Sequence, residues 1–268
     1  MRCQALPRES FLLTDKISNA LFEAEEEVRP LFQKQLESCW VEYFDFYLMH
    51  AQGKGYFEKF KKCRAYEQAL ELKTEGLIRH VGLSFHDKSE VLDEILTEYP
   101  QMEFVQLQLH YMDYDDPAIQ GRQCCEVCAK HGKPVIVMEP VKGGNLVKLP
   151  EDALRYITDL HGDSPVGYAI HAAAGYPGAF MVLSGMSGLA QLRDNVAVMK
   201  DYRPQDETEQ TAVAEVCRVL RPKGLIPCTA CNGKAHECIG CGKCKTACPQ
   251  HLPIRQYLKD AAKEFEKK

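Results

Sequence analysis

Cys238, Cys241, Cys244 and Cys248 are separated by two, two and three residues, and Pro249 follows directly. That spacing lets thiolates converge on one iron-sulfur cluster from a turning backbone, which Gly240 and Gly242 make easier. Cys228 and Cys231 form a further Cys-x2-Cys pair upstream and bring the stretch to six thiolates. Two clusters would need twice four ligands. The expectation is therefore one [4Fe-4S] cluster on Cys238, Cys241 and Cys244, with Cys228 or Cys231 as a remote fourth ligand. A cysteine before proline serves the other cluster in two-cluster proteins, which leaves Cys248 the least determined ligand. Structural zinc is the rival reading, because Cys228, Cys231, Cys238 and Cys241 also make two knuckles.

A second set of polar residues stands at the ends of apolar runs: Lys16, His50, Ser84, Gln106 with Gln108 and His110, Glu139, and Ser184 with Gly185. Polar groups contributed one per strand at the strand ends are what a barrel enzyme shows at its catalytic rim. The bland alternatives are a solvated rim lysine, a satisfied buried histidine, and polar side chains that only bond backbone.

These residues need elements to position them. Short apolar runs of strand character recur at Phe11–Leu13, Phe44–Met49, Val81–Leu83, Phe104–Leu109, Val135–Met138 and Phe180–Leu183. Helical stretches follow them: Leu31–Cys39 after Pro30, Ala65–Glu75 before Gly76, and a helix through Glu98 that Asp87 and Glu90 cap as a box. Pro117 opens a helix that closes near Gly132, Pro150 and Pro165 open two more, and Gly188–Met199 and Asp206–Leu220 complete the series. Alternating β and α elements with nearly continuous apolar strands predict a parallel sheet buried by helices on both faces. Strand-end polar groups without a Gly-x-Gly-x-x-Gly turn favour a barrel over an open doubly wound sheet. Gly143-Gly144 is a turn in a common phosphate-binding place, and Tyr111, Met112 and Tyr114 line either a substrate mouth or the core. Cys124, Cys125 and Cys128 fall in a helix, where packing is the plainer reading.

The 268 residues are 45% hydrophobic and 26% charged, which is a globular composition rather than a disordered one. A formal charge of -5 leaves no basic footprint for nucleic acid. No apolar run reaches membrane-helix length and no signal-peptide pattern opens the chain, so no membrane partner is expected. Thirteen cysteines, six of them in the cluster-like stretch, fit a reducing compartment, and a cytoplasmic location is the expectation.

Taken together, these segments resemble the aldo/keto reductase family, in the subgroup that carries a C-terminal ferredoxin-type 4Fe-4S module. Phe11-Leu-Leu-Thr-Asp-Lys16 resembles the family's third barrel strand ending in the catalytic lysine. Asp45-Phe-Tyr-Leu-Met-His50 resembles the fourth strand ending in the catalytic histidine. Gly76-Leu-Ile-Arg-His-Val-Gly-Leu-Ser84 is similar to the segment whose serine holds the nicotinamide carboxamide, with Gln106 as its glutamine. Gly185-Met-Ser-Gly-Leu-Ala-Gln-Leu-Arg-Asp-Asn195 is similar to the cofactor-binding loop and helix, which implies roles for Gly185, Met186, Gln191, Asp194 and Asn195.

The resemblance implies a TIM-type (β/α)8 barrel, here incomplete with about six βα units. It divides the chain into a barrel portion over residues 1–203, a helix and linker over 204–227, and an iron-sulfur module over 228–268. The implied function is an NAD(P)-linked oxidoreductase acting on a small carbonyl or alcohol, with a redox partner protein for the cluster. The family's catalytic Asp and Tyr lie on earlier strands and have no match here. Asp15 does not replace that Asp, since it alternates to the other face of its strand from Lys16. The chain therefore reads as N-terminally truncated and shortened in its cysteine module, with impaired activity. The alternative is a non-catalytic fragment that retains cluster binding or partner contact. Phe85, Glu139 and Gln191 stand where the family often has Asn, Tyr and Arg, so the choice between NAD and NADP stays open.

Overall fold

The computed structural model describes residues 6–158, 160, 164–200, 202–221 and 253–257. The six cysteines from Cys228 to Cys248 lie outside the described residues, and the cluster and zinc readings are tested on neither side. Six strands occur among the described residues: β1 (Thr14–Ile17), β2 (Phe44–Gln52), β3 (Ile78–Phe85), β4 (Phe104–Gln108), β5 (Val135–Met138) and β6 (Ala179–Val182). They follow one another in chain order in a parallel six-strand sheet. The helices are α1 (Glu25–Cys39), α2 (Lys54–Lys62), α3 (Ala65–Thr74), α4 (Ser89–Glu98), α5 (Gly121–Lys130), α6 (Glu151–Thr158), α7 (Pro165–Ala174), α8 (Leu189–Lys200) and α9 (Glu207–Leu220). The chain forms two compact units, Met1–Leu107 with Glu126–Val135, and Gln108–Cys125 with Ile136–Lys268.

In the first unit, β1 through β4 pair in register, with Lys16 beside Leu48, Met49 beside Leu83, and Ser84 beside Gln106. The expected first strand is displaced: it begins at Thr14, three residues after Phe11. Asp45 causes the offset, because its carboxylate accepts the Leu13 amide at 2.8 Å and takes that donor out of any ladder. The same carboxylate, almost fully buried, binds Arg8 at 2.6 Å and Arg79 at 3.0 Å. Gly82 is required where β3 approaches β4, since a Cβ there would stand 2.5 Å from Phe104 O. Aromatic side chains fill this core: Phe32 meets Phe44 and Tyr47 edge-on at 5.7 and 5.1 Å, and Tyr66 stacks on Tyr99 at 4.1 Å.

The helices differ from the sequence expectation in several places, and α5 begins at Gly121 rather than at Pro117. α1 starts at Glu25 and carries Pro30 inside it. The proline forfeits one intrahelical bond, while Glu25, Glu26 and Glu27 favour the helix's positive N-terminal end. α2 was not expected, its Lys-rich sequence hiding the buried Phe57 and Phe60. The Asp87 capping box does not form, because α4 is capped at Lys88 without a side-chain bond and Asp87 accepts the Lys54 amide at 2.9 Å instead.

In the second unit, Leu109 N donates to Met138 O at 3.2 Å and Leu183 N to Val137 O at 2.8 Å. β6 departs from the expectation of burial on both faces. Phe180 is 48% exposed, and α8 buries none of its side chains. α9 opens with a capping box, Asp206 accepting Glu209 N at 2.9 Å and Glu209 accepting Asp206 N at 2.9 Å. Its apolar side chains Ala212, Val216 and Leu220 join Ala153, Ile157 and Tyr168 in a second core. No helix among the described residues is long and apolar enough to cross a membrane.

Candidate active site

Lys16 and His50 come together at the C-terminal ends of β1 and β2. Leu48 stands beside Lys16 in register, and the two-residue repeat of a strand returns His50 to the face that Leu48 occupies. The chain then departs from regular pairing between Met49 and Gln52, where Ala51 takes a positive φ of 53°. Three bonds hold that turn to the end of β3: Ala51 N donates to Ser84 Oγ at 2.8 Å, His86 N to Gln52 O at 3.0 Å, and Lys54 N to Asp87 Oδ2 at 2.9 Å. Burial of the Gln52 side chain, which accepts Tyr66 OH at 2.8 Å, fixes it from below.

Lys16 is clamped from the other side. Gln35 of α1 donates to Lys16 O at 2.9 Å and accepts Tyr47 OH at 2.7 Å. Asp15 stands beside Tyr47 in register and belongs to this helix-facing side, in accord with its exclusion as a catalytic acid.

Electrostatically the site is basic. Burial lowers the Lys16 ammonium pKa below its ordinary value, with Asp15 opposing in part. Burial and then the charge of Lys16 lower the His50 imidazole. His86 is pushed down to about 4 by burial, then by His50 and Lys16. Both imidazoles are thus neutral at physiological pH. His86 and Ser18 were missed in the sequence, although each lies two residues beyond a site residue, Ser84 and Lys16. Ser18 Oγ sits 2.6 Å from His50 Nδ1.

Ser84 and Gln106 are neighbours in register on β3 and β4, both buried. A hydroxyl and a carboxamide side by side fit the two ends of a nicotinamide carboxamide, so the residues suit the group that the resemblance implies.

The other expected cofactor residues lie in the second unit. Gln191 accepts Ser187 N at 2.8 Å and Asn195 donates to Ser184 Oγ at 2.8 Å, so both shape the loop after β6. Gly185, Met186 and Asp194 are exposed in that loop and in α8. The Gly143 amide is taken by the Glu139 carboxylate at 2.8 Å, which competes with any phosphate there. Tyr111 and Tyr114 line a cavity of about 430 Å3 together with Tyr176, which stacks on Tyr114 at 4.0 Å, while Met112 is core. Cys124, Cys125 and Cys128 are buried on α5, as packing residues would be. Among the described residues no cluster of His, Cys, Asp or Glu could hold a metal ion.

The model of the aldo/keto reductase family matches residues 4–216. The chain belongs to the aldo/keto reductase family. Its similarity to single members is modest: it is 28% identical over 159 residues to a glyoxal reductase of Bacillus subtilis (strain 168), covering 59% of this chain and 52% of that protein. The chain thus spans about half the length of the curated relatives it matches. Among solved structures, an aldo-keto reductase from Bacillus halodurans in its holo form superposes with a TM-score of 0.61 at 20% identity, over 78% of this chain and 73% of that one. An aldo-keto reductase from Klebsiella pneumoniae in complex with NADPH gives 0.62 at 17% identity, over 79% and 70%. These likenesses establish the fold.

Proposed function

We propose that the chain carries the cofactor and carbonyl side of an NAD(P)-linked aldo/keto reductase, joined to a cysteine-rich module that binds a 4Fe-4S cluster. The observation that carries the reading is the pairing of Lys16 with His50 on one face at adjacent strand ends, next to the Ser84 and Gln106 pair. The bound nicotinamide would supply the hydride. Ser84 and Gln106 would hold its carboxamide, His50 would donate a hydrogen bond to the substrate carbonyl oxygen, and the Lys16 charge would stabilise the oxyanion as it develops. Small carbonyls are the substrate class, in keeping with the glyoxal named for the Bacillus subtilis relative. NADPH is the first cofactor to try, as in the Klebsiella pneumoniae structure.

Lys16 and His50 do not supply the acid that the family's tyrosine provides, and general acid catalysis is commonly worth ~10²–10⁴ in rate, so weak turnover is the expected outcome with these two residues alone. The cysteine module follows from spacing alone, and a redox partner protein follows from the cluster. The test measures NADPH consumption with glyoxal and other small carbonyls for the chain, for Lys16→Met and for His50→Ala. Weak turnover abolished by either substitution is expected, and turnover surviving both would sink the assignment of the site. An anaerobic iron count of about four per chain is expected, and stoichiometric zinc without colour would replace the cluster by a zinc site.

A further inference from the structure

We infer that Ser18 is a positioning residue for His50: its hydroxyl donates to Nδ1, places the ring proton on Nε2, and so presents a hydrogen-bond donor to the carbonyl oxygen. The inference rests on the carbonyl-reducing reading of this site and goes beyond it, since that reading requires a donor at His50 without saying what selects the tautomer.

Ser18 Oγ stands 2.6 Å from His50 Nδ1, within hydrogen-bond reach, and the hydroxyl is assigned as the donor because the carbonyl-reducing reading needs the ring proton on Nε2. A neutral imidazole carries one proton, so a ring whose Nδ1 accepts must carry it on Nε2. The ring is neutral at physiological pH because burial and the Lys16 ammonium both disfavour its charged form. The reverse tautomer would present a bare lone pair, which cannot donate to a carbonyl oxygen.

Ser18 is itself held in place. Lys16 O, two residues earlier, accepts Gln35 Nε2 at 2.9 Å, and Asn19 O, one residue later, accepts Lys59 Nζ of α2 at 2.8 Å. The serine thus sits on backbone pinned to two helices, and the strand repeat carries it to the face of Lys16. It acts through the imidazole, in the way outer partners orient a histidine whose other nitrogen does the work.

The experiment is a long-range proton–nitrogen correlation spectrum of the histidine-labelled chain at neutral pH, with His50 assigned by its loss in His50→Gln. Wild type is expected to show an unprotonated Nδ1 and a protonated Nε2. Ser18→Ala should shift both ring nitrogens toward a mixture of tautomers, and Ser18→Thr, which keeps the hydroxyl, should restore the wild-type pattern. A protonated Nδ1 in wild type, or ring shifts unmoved in Ser18→Ala, would overturn the inference. In parallel, Ser18→Ala is expected to lower kcat for glyoxal reduction about fivefold, the worth of one ordinary hydrogen bond, with KM little changed. A chain that shows the expected tautomer but no turnover with any carbonyl would leave Ser18 in its role and overturn the reductase reading instead.

Discussion

Ser84 Oγ accepts the amide of Ala51 at 2.8 Å, so the serine expected to meet the cofactor also holds the turn that follows His50. The two roles are compatible, because a hydroxyl that accepts one bond still has a proton to donate. Ser84→Ala should therefore cost more than a cofactor contact. It leaves the Ala51 amide without its partner at a site where Ala51 takes a positive φ, and a loss of about 1–3 kcal/mol in urea unfolding is expected. A variant as stable as wild type but weaker in NADPH binding would limit Ser84 to the cofactor role.

His86 predicts a pH dependence. Its unfolded pKa is the ordinary 6.5 and its folded value about 4, so the unfolded chain binds more protons between these limits. The stability that His86 contributes is full above pH 6.5 and is lost as pH falls toward 4. His50 shifts in the same direction. The urea midpoint should fall across that window, and His86→Gln should flatten part of the fall. Equal slopes in the two proteins would mean that His86 is solvated.

Lys142 and Asp113 form a buried ion pair in the second unit, with His110 Nε2 3.2 Å from the same carboxylate oxygen. Burial alone would raise the Asp113 carboxyl, but His110 and Lys142 hold it below the usual carboxylate value. Removing the lysine leaves a buried charge unpaired. Lys142→Met should cost about 3–5 kcal/mol, while the double variant Lys142→Met with Asp113→Asn should recover part of that. Thermal unfolding of the three proteins distinguishes this from a solvated pair, for which each variant would lie within about 1 kcal/mol of wild type.

β6 should be the least protected strand. Phe180 is half exposed, whereas the side chains of β3 from Val81 to Phe85 are buried. Native-state hydrogen exchange is expected to be about a hundredfold faster at Ala179–Val182 than at Val81–Ser84, because local opening there breaks few apolar contacts. Equal protection in both strands would show that β6 is covered in solution.

Much of this protein was legible from local pattern. Apolar runs punctuated by Pro and Gly revealed the βα repeat, because buried strands must be apolar and helices start and stop at recognisable residues. The extent of α9 could be read directly, the expected Asp206–Leu220 becoming a helix over Glu207–Leu220 with Asp206 as its cap. Lys16 and His50 were marked by their place at strand ends. Tertiary structure alone decided the rest. Asp87 could not be foreseen as a clasp on Lys54, because a side chain that can cap its own helix is free to bond any amide that folding brings near. Nor could Asp45 be seen to shift the start of β1, as its partners Arg8, Leu13 and Arg79 lie up to 37 residues away. Ser18 and His50 are 32 residues apart, and only the parallel pairing of β1 with β2 turns that separation into a 2.6 Å contact.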